Sequence, residues 1–335
     1  MRSSIVFCGL LLAAASACAE ESRVNLDWLK LMTNASHQTN YSGVFVYQYD
    51  DRVKTSRITH VVEPDSEYER LESLDGPKRE IIRHHGQAWS YSNHKVVPMD
   101  GPRGRNRFPS LLPEQLSALS ENYQIKEIGT ERVAGYNAQV VLFHPHDSLR
   151  YAHKIWLHAD TGLLLRAVVL NDRNQTIEQY TFTQLQVGGD IDRSWIKQAA
   201  ALTRNAGAAD STDKAKEVTP VNSGWVVDSL PSGFKKTMEI QRPSRDRHVP
   251  ITQLVFSDGL SAISVFIENA DADEDDAEGL SSRGALNLYR KVMDLHVVTV
   301  VGEVPPRTVM QVLDSVRYNG KRERGSNPLS IFGLW

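Results

Sequence analysis

Along residues 24–35 the apolar side chains fall at Val24, Trp28, Leu31, Met32 and Ala35, a spacing that lays them on one stripe of a helix. From Tyr41 the rhythm changes to a period of two. Tyr41-Ser-Gly-Val-Phe-Val-Tyr-Gln-Tyr49 is built largely from aromatic and β-branched residues, with Phe45, Tyr47 and Tyr49 on one side of an extended chain and Val44 and Val46 on the other. Further strand-like runs follow at 54–63, 67–73, 79–84, 87–92, 94–98, 123–129, 138–144, 151–158, 163–170 and 176–187. Asp75-Gly76, Asp160-Thr-Gly162 and Asn171-Asp-Arg-Asn174 supply turn residues between them that tolerate positive φ. Links this short suit antiparallel neighbours, because a parallel crossover needs roughly a dozen residues or more. The first half is therefore read as one long antiparallel meander, with a helix near its start and a short one near 113–120. A sheet of that size rarely stays flat and open. The predicted form is a large curled half-barrel with helices across its mouth.

The pattern breaks at Ala206–Val218, a small, polar stretch free of aromatics that reads as a linker. Beyond it, strands are expected at 234–241, 249–257, 260–267, 284–292 and 295–302, with Ser257-Asp258-Gly259 turning between two of them. A closing helix should start at Pro305-Pro306, where a proline costs nothing, and carry Val309, Val312, Leu313 and Val316 as its apolar stripe. The fold class is α+β. The expected division is a signal at 1–19, a sheet domain at 20–205, a linker at 206–219, a small α+β domain at 220–320 and a tail at 321–335.

The N-terminus changes the picture of where the protein works. Arg2, the apolar run Ile5–Ala15 and the A-x-A site Ala17-Cys18-Ala19 form an export signal too short to span a bilayer, with cleavage expected before Glu20. The rival is a lipoprotein signal with Cys18 lipidated, but Ala15 stands where such signals usually carry leucine. Cleavage after Ala19 removes both cysteines, Cys8 and Cys18, and with them any disulfide framework, thiol nucleophile or cysteine-based zinc site. The net charge of −3 lacks the basic surplus of a nucleic-acid binder.

A search for chemistry returns mostly absences: no G-x-S-x-G elbow, H-E-x-x-H pair, Walker loop or G-x-G-x-x-G fingerprint. His144-Pro-His146 and the histidines at 84, 85, 94, 153 and 158 lack a third ligand at metal spacing. The acidic run Asp271–Glu278 fails as a calcium loop, with Asp276 in place of the required glycine and Ser282 in place of the final glutamate. It reads as a solvated loop or as a contact for a basic partner. The sequence offers no catalytic residue, metal site or cofactor site. What remains is binding. Met99–Pro113 is long and unpatterned, and its Arg103, Arg105 and Arg107 beside Phe108 and Leu111-Leu112 suit an anionic amphiphile or an acidic peptide, or else mark a surface loop. Phe45, Tyr47, Trp89 and Tyr91 are candidates to line an apolar, lipid-binding cavity, the alternative being plain core.

Longer strings then carry a resemblance. Tyr41–Tyr47, Glu69–Arg83, Glu131-Arg-Val-Ala-Gly-Tyr136, Trp156–Leu165, Phe182-Thr-Gln-Leu185, Leu254-Val-Phe-Ser-Asp-Gly-Leu260 and Val298–Pro306 resemble the RseB/MucB family of sigma-E regulatory proteins, the MucB branch in particular. The resemblance implies a first domain like the outer-membrane lipoprotein carriers, followed by a smaller one. It implies a periplasmic protein that binds the periplasmic segment of a membrane-spanning anti-sigma factor and shields it from the first regulated protease. Lipopolysaccharide or a related acyl lipid would release it. The family pattern contains no catalytic residues to carry over. A periplasmic lipid or lipoprotein carrier is the competing reading, a homo-oligomer stays open, and the pattern assigns no contact residues for the partner.

Overall fold

A computed structural model describes residues 31, 35, 37–84, 87–92, 95–99, 108, 119–197, 201, 219–242, 250–270 and 278–319. The signal, Val24, Trp28, Met32, the tail, and the linker up to Val218 lie outside them.

Eleven strands form one antiparallel sheet: β1 (Tyr41–Tyr49), β2 (Arg52–Glu63), β3 (Ser66–Ser73), β4 (Arg79–His84), β5 (Gln87–Ser92), β6 (Lys95–Pro98), β7 (Tyr123–Val133), β8 (Tyr136–Pro145), β9 (Ala152–His158), β10 (Leu164–Leu170) and β11 (Thr176–Val187). Their spatial order is β6-β5-β4-β3-β2-β1-β11-β10-β9-β8-β7. Two meanders thus meet at the middle, where the first strand pairs with the last. The sheet remains open, with β6 and β7 as its two edges. At one end the β7–β8 hairpin leans back across it: Tyr136 Oη donates to the Leu185 carbonyl of β11, three strands away, at 3.2 Å.

The period of two in β1 decides which face is dry. Tyr41, Phe45 and Tyr49 are buried on what we call the inner face, while Ser42, Val44 and Val46 are half-exposed on the outer one. The inner face carries the main core, with Ile58, Tyr123, Val141, Phe143, Ile155, Leu157, Ala167 and Phe182 from six further strands. Each valine, leucine, isoleucine or phenylalanine among them contributes about 1.5–3 kcal/mol on burial. Gly43 exists to admit one of them. A β-carbon there would lie 2.7 Å from both the Phe182 ring and the Gln184 carbonyl, and a register shift follows at Val44/Phe45. The middle of the outer face is wet, with Gln48 and Gln179 joined through their amides at 2.8 Å, as an antiparallel sheet allows.

Of the helix expected at the N-terminus, Leu31, Ala35, His37 and Gln38 are described, and all four are helical. Ala35 enters the inner-face core. A polar cluster ties this end down. His60, buried and stacked on Tyr41 at 4.9 Å, places Nδ1 2.8 Å from the Thr39 carbonyl and Nε2 3.0 Å from the Glu67 carboxylate. Glu67 also reaches His37 at 3.1 Å.

The second sheet has the order β12-β14-β15-β16-β19-β18-β17, formed by β12 (Thr219–Pro220), β14 (Lys235–Arg242), β15 (Ile251–Ser257), β16 (Ala262–Asn269), β17 (Gly279–Arg283), β18 (Leu286–Met293) and β19 (His296–Gly302). A two-stranded ribbon joins β13 (Trp225–Val227) to β20 (Val316–Tyr318). The short helix α1 spans Leu119–Asn122, and the closing helix α2 spans Pro306–Asp314, with Val309, Val312 and Leu313 fully buried against the second sheet's core. All of the strands expected from pattern are present. The strands β12, β13, β17 and β20, which pattern did not predict, are all five residues or shorter.

Candidate functional site

The two sheets are locked together by a turn. Ser257–Ser261, between β15 and β16, pushes Leu260 into the inner-face core of the first sheet. Beside it the Asp258 carboxylate has every lone pair used. Oδ1 accepts the N–H groups of Leu260 and Ser261 at 2.9 and 2.8 Å, and Oδ2 accepts Tyr123 Oη at 2.9 Å and Arg150 Nη1 at 2.7 Å. Arg150 also donates to Asp147 and to the Ser232 carbonyl, and its guanidinium lies over the rings of Tyr123 and Phe234 at 5.5 and 5.3 Å. Burial, reinforced by the Asp258 charge, pushes the Tyr123 phenol well above its usual range, so it stays a donor. Gly233, at φ +79°, packs so closely on Asn122 that a β-carbon would overlap its amide.

A second contact lies at the far end of β1. Gly284, in the β17–β18 turn, donates its N–H to Asp50; Ala285 N donates to the buried Glu178 carboxylate at 3.1 Å; and Arg283 bonds Tyr49 Oη. Burial raises the Glu178 carboxyl above the ordinary carboxylate value. Between these anchors Thr308 Oγ1 donates to the Leu149 carbonyl at 2.8 Å, Asn287 donates to Tyr151 Oη at 3.0 Å, and Arg307 pairs with Asp172 at 3.1 Å. An open cleft of about 540 Å3 runs along this seam, lined by Pro145, Tyr151, Asn171, Pro305, Pro306 and Arg307 among others. Its proline and tyrosine walls with interspersed polar groups suit an extended peptide.

The aromatic candidates divide between the two faces. Phe45 is buried on the inner face, with its ring 5.2 Å from Phe108, 6.0 Å from Phe182 and 6.4 Å from Tyr180. Tyr47, half-buried on the same face, stacks on Tyr180 at 4.3 Å. Trp89 and Tyr91 do not join them. Directly paired residues share a face, and the ladders run Trp89–Ile82–Arg70–Thr59–Ser42, which ends on the outer side of β1. Tyr91 accordingly packs beside Val61, Tyr68, Ile82, Ile191 and Trp195. A single cavity lined by all four is thus ruled out by parity. Arg103, Arg105 and Arg107 lie outside the described residues, but the neighbouring Phe108 is buried among Phe45, Tyr180 and Phe182.

Residues 25–200 match the description "MucB/RseB N-terminal domain", and residues 219–317 match "MucB/RseB C-terminal domain". The chain belongs to the MucB/RseB family. It is 33% identical over 323 residues to the sigma factor AlgU regulatory protein MucB of Pseudomonas aeruginosa, covering 94% of this chain and 96% of that protein. It is 27% identical to the sigma-E factor regulatory protein RseB of Escherichia coli K12, covering 92% and 95%. The crystal structure of MucB in complex with MucA(peri) is similar at a TM-score of 0.68 and 30% identity, over 88% of this chain and 98% of that one. A crystal structure of MucB is similar at a TM-score of 0.59 and 30% identity, over 87% of this chain and 97% of that one. The named MucB and RseB relatives are regulators of sigma factors, and the family is one of regulatory binding proteins. Among the described residues no helix is long and apolar enough to cross a membrane.

The family-like strings occupy structural places that pattern alone could not assign. Leu254–Leu260 is β15 and the inserted turn, and Val298–Pro306 runs from β19 to the cleft wall. Arg150, Tyr123 and Glu178 escaped the sequence reading altogether, being isolated polar residues without motif spacing. The one available signal is Asp258-Gly259, which the sequence marks as a turn and as part of the family-like string Leu254–Leu260.

Proposed function

We propose that this chain is a periplasmic negative regulator of a sigma-E-type envelope stress response. It binds the periplasmic segment of a membrane-spanning anti-sigma factor and shields that segment from proteolysis until lipopolysaccharide or a related acyl lipid releases it. The observation that carries the reading is the match, across both sheets, to MucB captured with MucA(peri). The N-terminal signal supports export.

In this reading the extended partner lies in the seam, against Pro145, Tyr151, Pro305 and Pro306. The acyl chains enter among Phe45, Tyr47 and Tyr180 on the inner face, gaining about 0.8 kcal/mol per methylene buried. Arg103, Arg105 and Arg107, which precede Phe108 in the chain, would meet the lipid phosphates. Leu260 joins the inner-face core to the seam turn, so a lipid that disturbs one disturbs the other. Linkage then requires that lipid and peptide weaken each other equally.

Calorimetric titration of residues 20–335 with the periplasmic segment of the cognate anti-sigma factor tests this, with and without lipopolysaccharide. Tight binding that lipid weakens is the expected result. Failure to bind the peptide in either condition overturns it. The aromatic niche around Phe45 would then favour a periplasmic lipid or lipoprotein carrier.

A further inference from the structure

The seam cleft has a counterpart at the opposite end of β8. There the β7–β8 and β9–β10 turns enclose a second cleft of about 490 Å3, with Arg132, Tyr136, Asn137, His158 and Asp160 among its lining residues. The two turns are locked together. Ala159 N donates to the Asn137 carbonyl at 3.0 Å, and the Tyr136 ring, tied down through its bond to Leu185, lies 4.9 Å from that of His158. His158 is buried, only 6% exposed. Its Nδ1 accepts the N–H groups of Asp160 and Thr161 at 3.1 and 3.3 Å. A ring nitrogen that accepts in this way carries no proton, so the proton sits on Nε2. Among the described residues that Nε2–H has no protein partner. Arg132 gives one N–H to the Gly135 carbonyl at 3.0 Å, and the rest of its guanidinium is unpaired among the described residues. Asp160 lines the same cleft, yet neither its carboxylate nor the Asn137 side-chain amide has a protein partner there.

We infer that this cleft is a binding site for a neutral saccharide, held by hydrogen bonds from Arg132 and His158 and to Asp160. The mixture of groups selects the ligand class. His158 and Arg132 offer donors, Asp160 an acceptor and Asn137 both. A sugar hydroxyl donates and accepts at once, so neighbouring hydroxyls can take hydrogen bonds from His158 and Arg132 while giving one to Asp160. Tyr136 adds an aromatic wall for the apolar C–H face of a sugar ring. An acyl chain would leave all of these polar groups desolvated and unpaired. A phosphate or a carboxylate would suit Arg132 but be repelled by Asp160. The turn bonds to Nδ1 already orient the His158 donor, so little freedom is lost when a ligand arrives.

This cleft shares no lining residue with the seam cleft and does not depend on the anti-sigma reading. The test is an NMR titration of the isotope-labelled intact protein with maltotriose and with chitotriose, and separately with sodium phosphate and with glycine. Saturable shifts from at least one sugar are expected at the amides of Asn137, Ala159 and Asp160 and at the His158 Nε2–H. Two variants refine it. His158→Asn keeps an oxygen where Nδ1 accepts the turn but loses the Nε2 donor, and Asp160→Ala removes an exposed carboxylate without touching the backbone bond to His158. Each should weaken sugar binding about fivefold or more, the loss expected for one hydrogen bond. The inference is overturned if neither sugar moves these signals, or if both variants bind sugar as the parent does. It is also overturned if phosphate or glycine moves the same signals at lower concentration than the sugars, which would make the cleft an anion or zwitterion site.

Discussion

Arg150 and Asp258, 108 residues apart in the chain, meet at 2.7 Å with neither side chain exposed to solvent. One belongs to the first sheet's connections and the other to the turn that the second sheet drives into it. Replacing both with apolar residues of similar volume can be nearly neutral, whereas removing one leaves a buried charge without its partner. Asp258→Ala should therefore cost about 3–5 kcal/mol. Arg150→Met with Asp258→Leu should cost less than either single change. Denaturant unfolding of the two single variants and the double variant checks this; additive losses would contradict it.

The Glu67 cluster gives a pH signature. Burial acts to raise this carboxyl, but the hydrogen bonds from His37 and His60 outweigh it and hold the group at about 2, below its ordinary 4.5. A depressed carboxyl contributes stability that is fully present above 4.5 and lost as pH falls toward 2. Glu67→Gln should remove that dependence while leaving the acid side otherwise unchanged. Urea midpoints measured between pH 2.5 and 6 are the readout, and a Glu67→Gln curve parallel to the parent's would refute it.

Gly284 sits where no other residue fits. Its φ is +57°, and a β-carbon would stand 2.9 Å from Tyr49 Cβ and 3.0 Å from the Glu178 carboxylate. Gly284→Ala should destabilise by about 1–3 kcal/mol through the strained backbone and the clash together. The loss should show first as faster amide exchange at Ala285, whose N–H is given to Glu178. Unchanged exchange there would place the cost elsewhere.

The division of the aromatic candidates between faces makes a differential prediction for the proposed lipid site. Tyr47→Ala, on the inner face, should weaken binding of a fluorescent acyl probe several-fold, whereas Tyr91→Ala, on the outer face, should leave it unchanged. Equal losses at both positions would show that the probe does not report on the inner face.

The large sheet was legible because each of its long strands advertises itself locally. In β1 the alternation alone separates Phe45 from Val44, and the turn residues at Asp75-Gly76 and Asp160-Thr-Gly162 mark where the chain reverses. Parity across strands was not legible. Placing Trp89 on the face opposite Phe45 requires the register of four successive ladders, which depends on every turn between them. The strand β17 was missed because Gly279-Leu-Ser-Ser-Arg283 has neither alternation nor β-branched residues; its neighbour β18 holds it extended. The junction was missed for a different reason. Arg150, Tyr123 and Asp258 become a unit only when two distant parts of the chain pack together, and no spacing within the sequence encodes that.

The pairing of β1 with β11 sets a schedule for the chain. As synthesis proceeds from the N-terminus, β1 through β6 emerge complete, yet the strand that must flank β1 on its other side ends only at Val187. Until then the most aromatic strand of the protein is an unclosed edge, with Phe45 and Tyr47 facing water. Such long-range pairing is slow to form and exposed to aggregation while it waits. A stalled or truncated chain ending anywhere before β11 should therefore be sticky rather than merely incomplete, and a folding helper that masks β1 would act in that interval.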